Sequence, residues 1–214
     1  MTNKDLVQNL ISEKTLVTPR IINAFKAIDR KDFVLPGDLD RAYEDRPLSI
    51  GYEATISQPT TVAIMLEKLF EKSGDPVKSP YGDNGASKIL EIGTGSGYLT
   101  ALLAKITGER GKVFSVEYLP DLRGLAEFNL RNYNFKNVAL FVGDGKVGLK
   151  DYAPFNKIVS SASGDKLSKN WKSQLEIGGR IVAPVGSDLV ISDKISKRKF
   201  KEEKFRGFIF VPLR

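Results

Sequence analysis

The 214-residue chain contains neither cysteine nor histidine. The first absence removes disulfides, thiol nucleophiles, thiolate metal sites and iron–sulfur clusters. The second removes the commonest general base near neutral pH and the commonest zinc ligand, so no metal site is expected. Chemistry in this chain must run on carboxylates, hydroxyls, lysines or a bound cofactor. No apolar run approaches the roughly 20 residues of a membrane span, and the start, Met1-Thr-Asn-Lys-Asp5, lacks a signal-peptide core. A cytoplasmic protein without membrane contact is expected. The length suits one α/β domain with a modest extension, and neither a repeat nor a linker divides it.

Charge is unevenly spread. Of the formal net +7, the stretch from Lys194 to Arg206 supplies +5, with seven basic residues against Glu202 and Glu203. Only Phe200 and Phe205 interleave it, which is poor provision for stacking bases. The stretch reads as the solvated tip of a closing hairpin whose arms are Leu189–Ser192 and Gly207–Val211. Nucleic acid is not expected as a partner.

The most informative segment is Lys88-Ile-Leu-Glu-Ile-Gly-Thr-Gly-Ser-Gly-Tyr98. A short apolar run predicts a buried strand over 89–92, and Tyr98 to Ile106 carries apolar residues at helical spacing. Strand, glycine turn and helix open a nucleotide-binding unit, in which glycine lets backbone approach a ligand and the helix start offers free N–H groups. A dinucleotide fingerprint would place the third glycine one position later. Here Gly93, Gly95 and Gly97 alternate around Thr94 and Ser96, and Glu91 stands two residues before them. A carboxylate there serves a pyrophosphate badly and a cation well. S-adenosyl-L-methionine carries a sulfonium and an ammonium and has no phosphate, and the pattern resembles the first motif of class I methyltransferases.

Strand and helix alternate from there. Strands are predicted at Lys112–Glu117, Val138–Val142, Asn156–Ala162 and Arg180–Val185, with helices at Asp121–Tyr133 and Leu167–Leu175. That alternation implies a doubly wound, mostly parallel sheet of Rossmann-like α/β class. Ahead of it, residues 1–30 and Thr60–Phe70 read as helices. Residues 42–59 have no clean period and read as a functional loop. Glu71–Ser87 reads as an exposed loop with a turn at Asn84-Gly85. The expected organisation is thus a single domain over 1–214, with N-terminal helices and a substrate loop over 1–70 and a Rossmann-like core over 88–214. A C-terminal β-hairpin closes it.

Ligands of such sheets lie beyond the carboxyl ends of the strands. Glu117 closes the second core strand, where a carboxylate can accept from a ribose diol. Asp144 follows the third, placed for an adenine amino group with the Gly145 backbone beside it. Methyl transfer to a carboxylate, ionised already with a pKa of roughly 4, needs no general base. Placement and exclusion of water can supply the rate, which suits a chain without histidine or cysteine.

Four segments together resemble the protein-L-isoaspartate O-methyltransferase family: Ala42-Tyr-Glu-Asp-Arg-Pro-Leu-Ser-Ile-Gly51 with Thr55-Ile-Ser-Gln-Pro59; Leu90-Glu-Ile-Gly-Thr-Gly-Ser-Gly-Tyr98; Val142-Gly-Asp-Gly145 with Tyr152-Ala-Pro-Phe155; and Gly178-Gly-Arg-Ile-Val-Ala-Pro-Val-Gly186 with Phe210-Val-Pro-Leu213. The resemblance implies methyl transfer from S-adenosyl-L-methionine to the free α-carboxylate of isoaspartyl residues in damaged peptides and proteins. The ester then collapses to a succinimide that partly reopens to aspartate. Ser57 matches the family's active-site serine, whose hydroxyl would orient the carboxylate. Thr55 and Ile56 would line the same pocket. A second role for Ser57, capping the helix that begins near Thr60, is compatible. Ser161 and Ala162 fall in the segment that faces the substrate in the family. Here that segment reads Val159-Ser-Ser-Ala-Ser-Gly164, where the family usually has Thr-Ala-Ala and a proline. Tyr118, beside Glu117 at the cofactor, stands where the family often has arginine, and the loop over Ser73–Ala86 is longer than the family's. A monomer is expected. The competing readings are a methyltransferase with another acceptor such as RNA and a non-catalytic relative acting as a binding module. A nicotinamide dehydrogenase ranks behind both, given the glycine spacing.

Overall fold

A computed structural model describes residues 1–71 and 87–213. The predicted turn at Asn84-Gly85 and most of its loop lie outside the described residues. The chain opens with α1 (Asn3–Ser12), started by a capping box in which Thr2 and Asp5 satisfy each other's backbone N–H. Next comes α2 (Pro19–Ala27), with Pro19 at its first turn. Two 3₁₀ turns, Arg30–Phe33 and Pro36–Arg41, lead to a small antiparallel hairpin of β1 (Leu48–Gly51) and β2 (Ala54–Ile56), and then to α3 (Pro59–Phe70). That hairpin sits inside the stretch read from sequence as an aperiodic loop.

The core then alternates: β3 (Lys88–Ile92), α4 (Tyr98–Thr107), β4 (Lys112–Glu117), α5 (Pro120–Leu130), β5 (Val138–Val142), β6 (Phe155–Ser160), α6 (Lys169–Gln174) and β7 (Leu175–Val185). β8 (Asp188–Lys194) and β9 (Phe200–Arg206) follow. The seven-stranded sheet runs β5-β4-β3-β6-β7-β8-β9. β5 through β7 are parallel, while β8 and β9 are added antiparallel, each to its predecessor. The order reverses at β3, from which the chain builds first toward β5 and later toward β9, so β3 is the switch point.

Both faces of the sheet are covered, which is why β3 is buried along nearly its whole length. Ile89 faces a core shared with α1 to α4, whereas Leu90 and Ile92 face a second core with Phe155, Trp171 and Leu175. The last turn of α3 is tied to the sheet by cations, as its free carbonyls favour. Arg180 Nη1 donates to Lys68 O at 2.7 Å while Arg180 Nε and Nη2 clasp Asp193 at 2.6 and 2.8 Å, and Lys157 Nζ donates to Leu69 O at 2.8 Å.

The structure refines three expectations. The charged stretch expected at a hairpin tip is divided: Lys197, Arg198 and Lys199 do lie in the short turn, which Ile195 N–H closes on Lys199 O at 2.9 Å, while Lys201, Lys204 and Arg206 belong to β9, paired along its length with β8. Its lysines fit an edge strand, where charge discourages pairing with another chain. Residues 207–211, expected as the hairpin's second arm, instead run on with 212–213 across the carboxyl ends of the sheet, where Ser163 N–H donates to Val211 O and Leu213 N–H to Ser163 O. β7 also begins earlier than expected, running unbroken through Gly178 and Gly179.

Arg180 is 7% exposed, so its truncation leaves Asp193 and the end of α3 without their donor. Arg180→Ala is expected to cost about 3 kcal/mol. Urea unfolding measures this, and a loss under about 0.5 kcal/mol would show that the clasp holds nothing together.

Candidate functional site

A cleft opens at the carboxyl ends of β3, β4 and β6. Its floor is the turn after β3, where Gly93, Gly95 and Gly97 all take positive φ (85°, 54° and 88°). Gly97 shows why the turn must be so lean: a Cβ there would meet both Ala126 and Leu130 of α5 at 3.3 Å. Gly93 and Gly95 line the cleft. Thr94 and Ser96 do not, being buried at 4% and 3% exposure. The Thr94 hydroxyl shares a 2.6 Å hydrogen bond with Ser115, and Ser96 O accepts from Asn129 Nδ2 at 2.9 Å. They shape the turn from behind.

Glu117 ends β4 at the cleft wall. Its Oε2 accepts from the Gly95 N–H at 2.9 Å and its Oε1 from the Leu119 N–H at 3.1 Å. Each carboxylate oxygen has two acceptor positions, so both retain capacity for a ligand diol. Tyr118 stands half exposed at the rim beside the apolar Leu119 and Leu122. Gly145 contributes backbone to the wall and packs so closely that a Cβ would lie 2.5 Å from Ile92 Cγ2. Asp144 is exposed outside the lining, with Oδ1 accepting from the Lys146 N–H at 2.8 Å.

Glu91 occupies a different place from the one its spacing suggested. It has no solvent exposure and does not line the cleft. Its position in β3 turns it toward α4, where Thr100 Oγ1 donates to its Oε2 at 2.6 Å while Oε1 has no hydrogen-bond partner among the described residues. Burial pushes its pKa up from 4.5 to about 8, against the lowering by Thr100 and Ser115, and the nearby Glu117 raises it further. Glu91 can therefore act on a cation in the cleft only through its field and through the shape of the turn above it.

The opposite side of the cleft comes from the β1–β2 hairpin. Its tip residues Tyr52 and Glu53 both have left-handed φ (54° and 58°), the arrangement of the tightest hairpin turns. Here it is held without glycine at either position, a strain typical of functional sites. Thr55 lines the cleft. The Tyr52 hydroxyl hydrogen-bonds the Asp121 carboxylate at the start of α5, which raises the phenol's pKa. Ile56 is buried in the core at 3% exposure and so does not reach the pocket expected for it. Ser57 is half-buried at the hairpin's exit, just outside the lining. It does not cap α3 either. Gln58 is the cap residue and makes no side-chain cap bond. Asp45 takes over that task, accepting from Thr60 N–H at 2.8 Å and Thr60 Oγ1 at 2.7 Å.

Ser161 and Ala162 line the cleft beyond β6. Ser161 N–H donates to Ile92 O at 3.0 Å, and the buried Ser160 hydroxyl donates to Ala162 O at 2.8 Å, which folds the Ser-Ser-Ala turn onto itself. Sequence reasoning missed Val211, Pro212 and Leu213, which close the cleft from above. The bridge between Ser163 and Pro212 that carries them is non-local, and no local pattern announces it.

A family model described as protein-L-isoaspartate(D-aspartate) O-methyltransferase matches residues 1–214. A protein-L-isoaspartate O-methyltransferase of Methanothrix thermoacetophila is 37% identical, covering 100% of this chain and 95% of the relative. One from Methanococcus aeolicus is also 37% identical, covering 97% of this chain and 92% of its own. Among solved structures, a Plasmodium falciparum protein provisionally assigned to the same enzyme class and solved with S-adenosyl-L-homocysteine superposes with a TM-score of 0.86 at 21% identity, over 100% of this chain and 99% of that one. Another, a protein-L-isoaspartate O-methyltransferase, gives 0.82 at 26% identity over 98% of this chain and 65% of that one.

The Glu91 carboxyl makes a pH prediction. Its folded pKa lies above its ordinary 4.5, at about 8. The folded state therefore holds a proton the unfolded chain has lost, and stability is highest below that interval and falls as pH rises through it. Glu91→Gln should flatten the fall in melting temperature between pH 5 and pH 8. An identical slope in the variant would show that another group carries the dependence.

Proposed function

Since this chain belongs to the protein-L-isoaspartate(D-aspartate) O-methyltransferase family, we propose that it transfers the methyl group of S-adenosyl-L-methionine to the free α-carboxylate of isoaspartyl residues in damaged proteins. The observation that carries the reading is the cleft at the switch point: it presents a carboxylate with spare acceptor capacity beside a glycine turn, and among the described residues no lysine or arginine lines it to suit a phosphate. That donor set fits a phosphate-free nucleoside bearing positive charge.

In this reading Glu117 accepts from the ribose hydroxyls. Gly93, Gly95 and Gly145 let backbone come close, Asp144 waits at the adenine edge, and Leu119 and Leu122 give the rings an apolar wall. Glu91, with Thr94, Ser96 and Gly97, sets the turn rather than touching the ligand. When bound, the cofactor supplies an electrophilic methyl carbon on a sulfonium: a bond forms to the acceptor oxygen as the carbon–sulfur bond breaks, its electron pair leaving on sulfur. The acceptor arrives ionised, so no side chain takes a proton. Ser57 donates to the carboxylate and orients it, while Thr55, Ser161 and Ala162 line its side of the cleft. The hairpin tip and residues 211–213 keep water away from the charged groups, which strengthens their interactions. Collapse of the ester to a succinimide needs no further residue.

A cleft completed within one chain supports a monomer. A cytoplasmic location is proposed. No described helix is long and apolar enough to cross a membrane. The basic residues of β9 stand at the far edge of the sheet, four strands from β3, and so give no support to an RNA acceptor.

Incubation of an isoaspartyl peptide with the protein and S-adenosyl-L-methionine should enrich the aspartyl isomer over hours, as read by chromatography. Cofactor binding without conversion would move the assignment to another acceptor, and absence of both to a non-catalytic relative. Ser57→Ala should lower peptide turnover roughly 10- to 100-fold, the worth of one hydrogen bond to a charged group, while cofactor affinity stays within about twofold. If affinity collapses with turnover, Ser57 belongs to the cofactor site or to folding.

A further inference from the structure

The β1–β2 hairpin meets the cleft with its tip, but both of its ends are anchored at one buried cation. Arg30, in the 3₁₀ turn after α2, has no solvent exposure. Its Nη1 donates to Ala42 O at 2.5 Å and Glu44 O at 3.4 Å, and its Nη2 donates to Arg46 O at 2.9 Å and Ser57 O at 3.2 Å. Three of these carbonyls precede β1 and the fourth follows β2. Nε has no partner, and among the described residues Arg30 forms no ion pair. Backbone dipoles meet its charge, with longer-range attraction from Glu44 and Asp45.

Burying a guanidinium on carbonyls alone is costly, and an apolar side chain would fill the space without that desolvation. What the planar fork adds is geometry, since it fixes several oxygens from separate chain segments at once. Asp45 complements it from the solvent side, holding the exit of the hairpin through the Thr60 N–H, the Thr60 hydroxyl and Gln58 Nε2 at 2.8, 2.7 and 3.0 Å. The same cluster touches the cofactor turn. Tyr98, the first residue of α4 after Gly97, has its ring 5.5 Å from that of Phe33, which shares the 3₁₀ turn of Arg30.

We infer that Arg30 is a positioning residue for the methyl acceptor, clamping both ends of the hairpin so that Ser57 and the tip stand at a fixed distance from the cofactor turn. The inference rests on the function proposed above. Arg30 touches neither substrate nor cofactor, so its loss should split the two.

The test is steady-state methylation of an isoaspartyl peptide together with calorimetric binding of S-adenosyl-L-homocysteine. Arg30→Lys, which keeps the charge but not the fork, should raise peptide KM at least tenfold and lower kcat, with cofactor Kd within twofold of wild type. Asp45→Asn, at an exposed position whose change spares the core, should raise peptide KM three- to tenfold with a melting temperature close to wild type. It decides the matter alone if Arg30→Lys fails to fold. Peptide KM within twofold of wild type in Asp45→Asn, or in a folded Arg30→Lys, overturns the inference, as does a loss of cofactor affinity that matches the loss in KM. Wild-type protein that methylates no isoaspartyl peptide overturns the functional reading instead, and the inference falls with it.

Discussion

Two backbone N–H groups, those of Gly95 and Leu119, converge on the Glu117 carboxylate, and the cleft depends on that convergence. It joins the turn after β3 to the turn after β4 at the point where strand order reverses. With the Gly93 N–H bonded to Val116 O at 2.9 Å, it leaves the two turns little freedom to move apart. A carboxylate fixed by its own backbone is a preorganised acceptor: nothing needs to reorient when a diol arrives. The glycine turn can lie so close only because α5 packs directly against Gly97.

The side proposed for the acceptor is built on a different principle. Among the described residues its regular structure is two 3₁₀ turns and a short hairpin, and its order comes from side chains that hold backbone. Arg30 gathers carbonyls, Asp45 gathers donors, and Tyr52 reaches across to Asp121. This division suits the reaction. A cofactor of constant shape can be met by a rigid sheet edge, whereas a damaged residue in varied peptides needs an approachable surface whose few essential groups are still fixed. A carboxylate acceptor needs no base, so these residues can be spent on placement.

Much of this was legible in the sequence, for definite reasons. The parallel core showed itself because buried strands are apolar runs and the helices between them keep their period. Glu117 and Gly145 followed from strand ends, since a doubly wound sheet places its ligands there, whereas Ser161 and Ala162 came from the family likeness of their segment. Glu91 illustrates the limit. Its position two residues before the glycines was readable, but alternation along β3 decides whether it faces the cleft or α4, and a strand buried on both faces has no polar pattern to reveal the choice. Ile56 was misplaced for a similar reason, because family likeness gives a position and not the direction of a side chain. The basic stretch misled in part: Lys197 to Lys199 do form the turn, but the charges from Lys201 onward were read with them although an edge strand tolerates charge. The wall formed by Val211 to Leu213 and the Arg30 clamp depend on contacts between segments far apart in sequence, which periodicity does not carry.

The central claim is that this cleft methylates the free α-carboxylate of isoaspartyl residues. Transfer of labelled methyl from S-adenosyl-L-methionine to an isoaspartyl peptide, beside its aspartyl twin, tests it most directly. The account predicts base-labile label on the isoaspartyl peptide alone, lost as the ester closes to the succinimide. Label of equal extent on both peptides, or label that survives base, would contradict it.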